Sequence, residues 1–399
     1  MKTNLAVFFG CSSVEHEVSI ISAVQAMEAM DREKYTVVPV YVAKDGNMYT
    51  GDALFSMKNY KDLPALLSRC TRVFPAREKG EVILMDAAGG LFKRKPVARL
   101  DVAFPVVHGT NCEDGSLQGY FEILGLPYAG CDVLASAVGM DKAVCKHVLA
   151  AHGLPVLPCV TFTARQWAED KAPILDKIRR AIGYPCIVKP VNLGSSVGIS
   201  KAEDDGKLEE AVALAASFAG EILVERAIGS LREINCSVLG DRDACEASVC
   251  EEPVMSDEIL SYEDKYLSGG AKGDKTGGSK GMSSLKRRLP AEIPEEKAAE
   301  IKDLAKEAFL AIGGQGVARI DFLMDTADGN KVYINEINTI PGSLAFYLWE
   351  AAGLPYRQLI DRLVELAFKR ARTRQNLMFT IDTNLLSQAG DLGGAKGKA

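Results

Sequence analysis

Val317-Ala318-Arg319-Ile320-Asp321-Phe322 and, beyond the turn-forming pair Asp328-Gly329, Val332-Tyr333-Ile334-Asn335-Glu336-Ile337-Asn338 read as the two strands of one antiparallel hairpin. Strand side chains alternate between faces, so Arg319 shares a face with Asp321, and Glu336 shares one with Asn338. Pairing the strands gathers two carboxylates, one amide oxygen and one guanidinium. Hard oxygens at that density suit Mg²⁺, an ion that accompanies phosphates, and a neighbouring guanidinium suits charge developing on a transferring phosphoryl or acyl group. The pair therefore points to a magnesium-nucleotide site. A hairpin whose polar residues merely face solvent is the bland reading of the same alternation, and the rest of the chain weighs between the two.

A chain of 399 residues with 47% hydrophobic content exceeds one usual core, so two or three domains are expected. The net charge of −6 argues against a nucleic-acid partner. No apolar run approaches the roughly 20 residues that span a bilayer, and the start, Met1-Lys2-Thr3-Asn4-Leu5, lacks the apolar region of a signal peptide. The expectation is a cytoplasmic protein with no membrane partner. Ten cysteines without Cys-x-x-Cys pairs or histidine-spaced clusters speak for reduced, mostly buried thiols, and Cys112 is read the same way.

Leu5-Ala6-Val7-Phe8-Phe9-Gly10 reads as a buried strand, followed by a helical pattern from Val14 that Ser12 or Ser13 can cap. Tyr35 to Val42 completes a β-α-β unit, so the first domain should be a parallel sheet covered by helices. It has no Gly-x-Gly-x-x-Gly, which removes a dinucleotide-dependent dehydrogenase. Asp101 to Val107 ends a strand directly before His108-Gly109-Thr110-Asn111-Cys112-Glu113-Asp114-Gly115, a polar loop where an α/β sheet presents its site. His108 is a site candidate on that ground, although a structural hydrogen-bonding histidine is equally ordinary there.

Met140-Asp141-Lys142 opens another helix. Later, Cys186-Ile187-Val188-Lys189-Pro190 sets a lysine at a strand end before Gly194-Ser195-Ser196-Val197-Gly198, a loop able to lay backbone N–H groups over phosphates. Alone, such a loop is a plain turn more often than a phosphate cradle. The strand Glu221 to Arg226 includes Glu225, an acceptor for an adenine amino group or simply a solvated acid. Ser268 to Gly278 is too Gly-rich and polar to pack and reads as a mobile lid or a disordered insertion.

The order of these signals resembles the ATP-grasp superfamily. Val14-Glu15-His16-Glu17-Val18-Ser19, His108-Gly109 with Glu113-Asp114-Gly115-Ser116-Leu117-Gln118-Gly119, Met140-Asp141-Lys142, Gly194 to Gly198, Lys265-Tyr266 and Asn338-Thr339-Ile340-Pro341-Gly342 are similar to the D-alanine–D-alanine ligase family, over residues 4 to about 370. The resemblance implies a mixed α/β and α+β architecture. It is an ATP-grasp fold with an N-terminal parallel-sheet, Rossmann-like domain and two α+β domains clasping ATP. The expected division is 1–130, 131–224 and 225–375, with a loosely held tail over 376–399.

The same resemblance implies the roles of the matching residues. Lys142 and Lys189 would hold ATP phosphates under the loop Gly194, Ser195 and Ser196, Glu225 would meet the adenine edge and Glu233 the ribose. Asp321, Glu336 and Asn338 would bind two Mg²⁺, with Mn²⁺ as a substitute. The carboxylate of one D-alanine would attack the γ-phosphate, and the amine of a second would attack the resulting acyl phosphate. Arg319 and the Gly342 N–H would stabilise the oxyanion. Glu15, with His108 nearby, would anchor the first substrate's ammonium, and Glu15, Ser195 and Tyr266 would form a hydrogen-bonded triad. Ser343 and Leu344, assisted by Lys265, would receive the second substrate's carboxylate. The product would serve peptidoglycan synthesis, and a homodimer is expected.

The nearest alternative is a ligase joining D-alanine to D-serine or D-lactate; Tyr266 stands where the resistance-type depsipeptide ligases usually carry histidine, and a neutral phenol fits an amine nucleophile better. A non-catalytic ATP-binding module is the alternative of another class. Its sign would be a lost metal ligand or a lost Arg319, and neither is missing.

Overall fold

The computed structural model describes residues 2–88, 95–194, 197–254 and 287–379. Ser195, Ser196, Lys265, Tyr266, the expected lid and residues 380–399 lie outside them. The apolar run at the start forms Thr3–Gly10 (β1), and Tyr35–Val42 (β2) pairs with it in parallel after the helix His16–Ala29, as the β-α-β pattern predicts. Met48–Thr50 (β3), Thr71–Glu78 (β4), Glu81–Asp86 (β5), Pro96–Leu100 (β6) and Val102–Pro105 (β7) complete a seven-stranded sheet in the order β6-β5-β4-β3-β2-β1-β7.

β2, β1 and β7 run parallel, as the parallel-sheet expectation has it, and the sheet continues beyond β2 in antiparallel strands that the sequence reading did not include. β2 and β3 are joined by a short turn at Asp45-Gly46 and β4 and β5 by one at Lys79-Gly80, and a short turn can only connect antiparallel neighbours; β3 and β4 also pair antiparallel, across a longer connection that includes the helix Leu63–Leu67.

Two further sheets build the rest. Cys159–Thr163 (β8), Cys186–Pro190 (β9), Ser200–Ala202 (β10) and Glu221–Arg226 (β11) form one in the order β10-β9-β11-β8. Leu231–Gly240 (β12), Cys245–Pro253 (β13), Arg287–Arg288 (β14), Gly316–Asp325 (β15) and Lys331–Asn338 (β16) form the other in the order β14-β13-β12-β15-β16. Each sheet has its own core. Phe9, Val40 and Phe104 centre the first, which also receives Leu359, Ile360 and Leu363 of the last helix, Tyr356–Gln375. Ile234, Ile320 and Phe322 pack on Phe309 of the helix Glu295–Ala311, and Val188, Ile222 and Val224 pack on Ile178 and Val212.

The helices Val133–Met140 and Lys142–Ala151 join the five-stranded sheet's core through Ala135, Cys145 and Leu149. Gly139 allows that approach, because a methyl group in its place would meet Thr339 Cγ2 at 2.7 Å. The junction between the two helices is thereby held over the end of β16.

Candidate active site

β15 and β16 pair antiparallel with Arg319 opposite Asn338 and Asp321 opposite Glu336. The loop between them turns through Gly329 and Asn330, both in the left-handed region, where glycine and asparagine are tolerated. The register carries on across the sheet: Asp321 lies opposite Asn235 of β12, and Asn235 opposite Glu251 of β13. Four strands thus line up polar side chains on one face.

Within that row Arg319 grips Asp321 with two bonds, Nε to Oδ1 at 2.6 Å and Nη2 to Oδ2 at 2.7 Å, and Asn338 Nδ2 donates to Oδ2 at 3.1 Å. Burial weakens the guanidinium's hold on its proton, but the Asp321 charge outweighs it and keeps Arg319 charged. Lys142 Nζ reaches Glu336 Oε2 at 3.0 Å and donates to the Leu193 carbonyl at 2.9 Å. Positive nitrogen therefore stands on both carboxylates. Among the described residues no group of three His, Cys, Asp or Glu converges, so a divalent cation here would draw on two carboxylates and the Asn338 amide oxygen. That hard-oxygen set, already neutralised by cations, fits Mg²⁺.

Beside this row a cleft of about 240 Å³ opens between β9 and β11 on one side and β12, β15 and β16 on the other. Lys142, Lys189, Glu225, Glu233, Asp321 and Glu336 line it, and Ile187, Ile228, Leu231, Phe322 and Leu323 add apolar walls. Apolar walls with convergent cations suit a planar base attached to phosphates.

Glu225 departs from its expected role. Its side chain is 1% exposed and held by Lys189 Nζ at 2.5 Å and Lys146 Nζ at 2.9 Å, so its oxygens are committed to ammonium groups instead of an adenine edge. Burial alone would raise its pKa, but Lys189 and Lys146 more than offset that and bring it to about 2. Lys189 also donates to Asn335 Oδ1 at 2.9 Å.

Lys146 and Asn335 escaped the sequence reading. Lys146 lies four residues beyond Lys142 in one helix, hence on the same face, and that spacing was the available signal. Asn335 should face away from Glu336 by alternation. The pairing steps from Asp321–Glu336 to Phe322–Ile334, so Asn335 is the extra residue of a bulge and is re-aimed into the cleft.

On the first sheet's side, Glu15 precedes the helix His16–Ala29 as its N-cap residue, without a side-chain cap; Ser13 accepts from the Glu15 N–H at 3.2 Å and donates to the His108 carbonyl at 2.7 Å. Serine capping is thus corrected to a bridge between two loops. Added methyl groups on Gly194 and Gly109 would meet Glu15 Oε2 at 2.8 and 3.0 Å, so the Glu15 carboxylate rests between the expected phosphate loop and the His108 loop. Asn111 adopts φ 66°, a conformation asparagine tolerates, and Cys112 beneath it is fully buried with its thiol pKa pushed up.

His108 is buried and donates from Nδ1 to the Ile340 carbonyl at 3.0 Å, which leaves Nε2 to accept from Ser22 Oγ at 3.2 Å, a tautomer assigned from these partners. Desolvation lowers its pKa, so it is neutral. Ser22 in turn accepts from the Ser343 N–H at 3.1 Å, and Ser343 Oγ donates to Gln25 at 2.8 Å.

Ser343 and Leu344 do not face the cleft. Ser343, Leu344 and Ala345 have positive φ, and this left-handed segment directly after Pro341-Gly342 turns Ser343 onto the helix His16–Ala29 and Leu344 into the first sheet's core. The Ser343 hydroxyl is thus engaged with Gln25 in this structure. Gly342 opens the turn after β16.

Glu113 ties the two loops together, accepting from the Ile340 N–H at 3.0 Å and the Gly109 N–H at 3.2 Å. Burial, reinforced by the charge of Glu15, raises its pKa from 4.5 to about 7. The folded chain then keeps this proton where the unfolded chain has lost it, so the stability the group contributes is complete below pH 4.5 and vanishes as pH rises through about 7. Its full span is about 3 kcal/mol. Glu113→Gln should flatten that fall. Denaturant unfolding of both proteins at pH 5 and pH 8 checks it, and equal pH slopes would contradict it.

Family models described as D-ala D-ala ligase N-terminus and D-ala D-ala ligase C-terminus match residues 4–131 and 148–365. The D-alanine–D-alanine ligase of Thermosipho melanesiensis is 37% identical over 383 residues, covering 96% of this chain and 98% of its own. That of Sodalis glossinidius is 41% identical over 384 residues, covering 94% and 97%. Among solved structures, the D-alanine-D-alanine ligase from Coxiella burnetii superposes with a TM-score of 0.76 at 30% identity, covering 94% of this chain and 96% of that one. The VanG D-Ala:D-Ser ligase from Enterococcus faecalis does so with 0.75 at 28%, covering 92% and 100%.

Proposed function

The chain belongs to the D-alanine–D-alanine ligase family, and from that premise we propose that it joins two D-alanine molecules with consumption of ATP, supplying D-alanyl-D-alanine for peptidoglycan synthesis. The observation that carries the proposal is the register of β15 on β16, which sets Arg319, Asp321, Glu336 and Asn338 together, with Asp321 and Glu336 lining a cleft that Lys142 and Lys189 also line.

The reading assigns ATP to that cleft, its base against Ile187, Ile228 and Phe322 and its phosphates toward Lys142 and Lys189. Asp321, Glu336 and Asn338 would hold Mg²⁺, which supplies neutralisation of phosphate charge when bound. Lys142, released from Glu336 by that substitution, would turn to phosphate. A carboxylate oxygen of the first D-alanine attacks the γ-phosphorus and ADP leaves, giving D-alanyl phosphate. The amine of the second D-alanine attacks its carbonyl, Arg319 and the Gly342 N–H bear the oxyanion, and phosphate departs as the peptide bond closes. Glu15 holds the first ammonium beside the loop at Gly194, with Ser195, Tyr266 and Lys265 as further members of the site. Glu233 serves the ribose. No helix among the described residues is long and apolar enough to cross a membrane, in keeping with a cytoplasmic enzyme, and we take a homodimer as its working form.

Purified protein given ATP, Mg²⁺ and D-alanine should release ADP and phosphate in step with dipeptide, and a chelator should stop both. ATP turnover without dipeptide would reject the ligase while sparing nucleotide binding. Competition among D-alanine, D-serine and D-lactate as acceptor should favour D-alanine.

A further inference from the structure

Glu225 carries one negative charge and meets two ammonium groups, Lys189 Nζ at 2.5 Å and Lys146 Nζ at 2.9 Å. The buried group of three is therefore left with one positive charge. Asn335, which accepts from Lys189 at 2.9 Å, is a neutral amide and cancels none of it. One lysine would already neutralise the carboxylate, and a second, 3% exposed, bears the cost of desolvation without a counter-ion of its own. Stability alone does not account for Lys146.

The cleft gives the excess charge a use. Lys189 lines it, and of the three N–H donors on its ammonium, Glu225 and Asn335 engage two, while the third has no partner among the described residues. Lys146 is absent from the lining, although Lys142, one turn earlier on the same helix, belongs to it. Among the described residues its one ion pair is with Glu225. Lys146 therefore reaches an occupant of the cleft only through Glu225 and Lys189. An anion arriving at Lys189 meets charge that Glu225 has not cancelled, in a setting where water screens little.

We propose that Lys146 is a positioning residue for nucleotide phosphates: by sharing Glu225 it keeps the Lys189 ammonium from being neutralised, so that the charge and the third N–H of Lys189 serve the phosphate. This rests on the reading above that sets ATP phosphates at Lys189.

Calorimetric titration with adenosine and, separately, with ADP and Mg²⁺ distinguishes binding of the base from binding of the phosphates. In Lys146→Met the affinity for ADP should fall at least about tenfold, which corresponds to about 1.4 kcal/mol, while that for adenosine stays within about twofold. Denaturant unfolding should find the same variant as stable as wild type or more so, because an uncompensated buried charge is gone. Lys146→Arg, which keeps the charge, should restore most of the ADP affinity. Adding Glu225→Gln to Lys146→Met returns the group to one positive charge and should recover part of it. A lysine that merely props its helix would weaken adenosine and ADP together and lower stability on removal, and that outcome overturns the proposal. So does an unchanged ADP affinity in Lys146→Met or, should that variant not fold, in Lys146→Gln. Wild-type protein that binds neither adenosine nor ADP sinks the nucleotide reading instead.

Discussion

Replacing Arg319 with alanine should lower turnover at least ~10²-fold while leaving the KM for ATP within a small factor, as expected for losing one donor to a developing oxyanion. The split follows from placement. Asp321 and Glu336 line the cleft to which ATP is assigned, whereas Arg319 is absent from its lining and stands behind Asp321 as the other half of a two-pronged pair. Steady-state rates at saturating ATP and Mg²⁺ test this, the metal excess guarding against a weakened Asp321. Arg319→Lys should restore only part of the rate, because an ammonium cannot reproduce the fork that holds both the charge and its direction. Near wild-type turnover in the alanine variant would remove Arg319 from the chemistry.

The second large effect concerns stability. Glu225→Gln should cost about 3–5 kcal/mol, since it removes the one carboxylate that neutralises two buried ammonium groups and leaves Lys146 and Lys189 facing each other in a dry setting. The pH dependence supplies the check. With the Glu225 pKa at about 2 in the folded chain and near 4.5 when unfolded, its contribution is complete above pH 4.5 and drains away as pH falls toward 2. Denaturant unfolding should therefore show the gap between wild type and variant narrowing through that acid interval. Adding Lys146→Met to the variant should recover part of the loss, because one uncompensated charge leaves with it. A constant gap, or a variant as stable as the parent, would mean that water or relaxation satisfies the lysines.

These two residues sit at opposite ends of what a sequence can disclose. Arg319 and Asp321 were legible because alternation along a strand is a local property, and one turn sufficed to set Glu336 and Asn338 opposite them. Lys142 and Lys189, which line the cleft, stood out only through the resemblance to a known family, a lysine before a Gly-Ser loop being too common a pattern to speak for itself. Lys146 was not read at all, although its spacing from Lys142 marked it as sharing a buried face. The backbone that carries Ser343 and Leu344 was not legible either. Nothing in their side chains announces three consecutive left-handed residues, a segment that packs on the helix His16–Ala29 through the Ser343–Ser22 bond.

From the chain alone came the central β-α-β unit, the hairpin and the clustering of hard oxygens beside a guanidinium, because each depends on side-chain periodicity and turn chemistry within a few residues. Tertiary structure alone decided which buried polar groups meet: Glu225 with Lys146 and Lys189, Glu251 with Arg287, Glu113 with the backbone of two loops. Desolvation makes that pairing compulsory once packing has buried the groups, and packing is settled by elements far apart in the sequence.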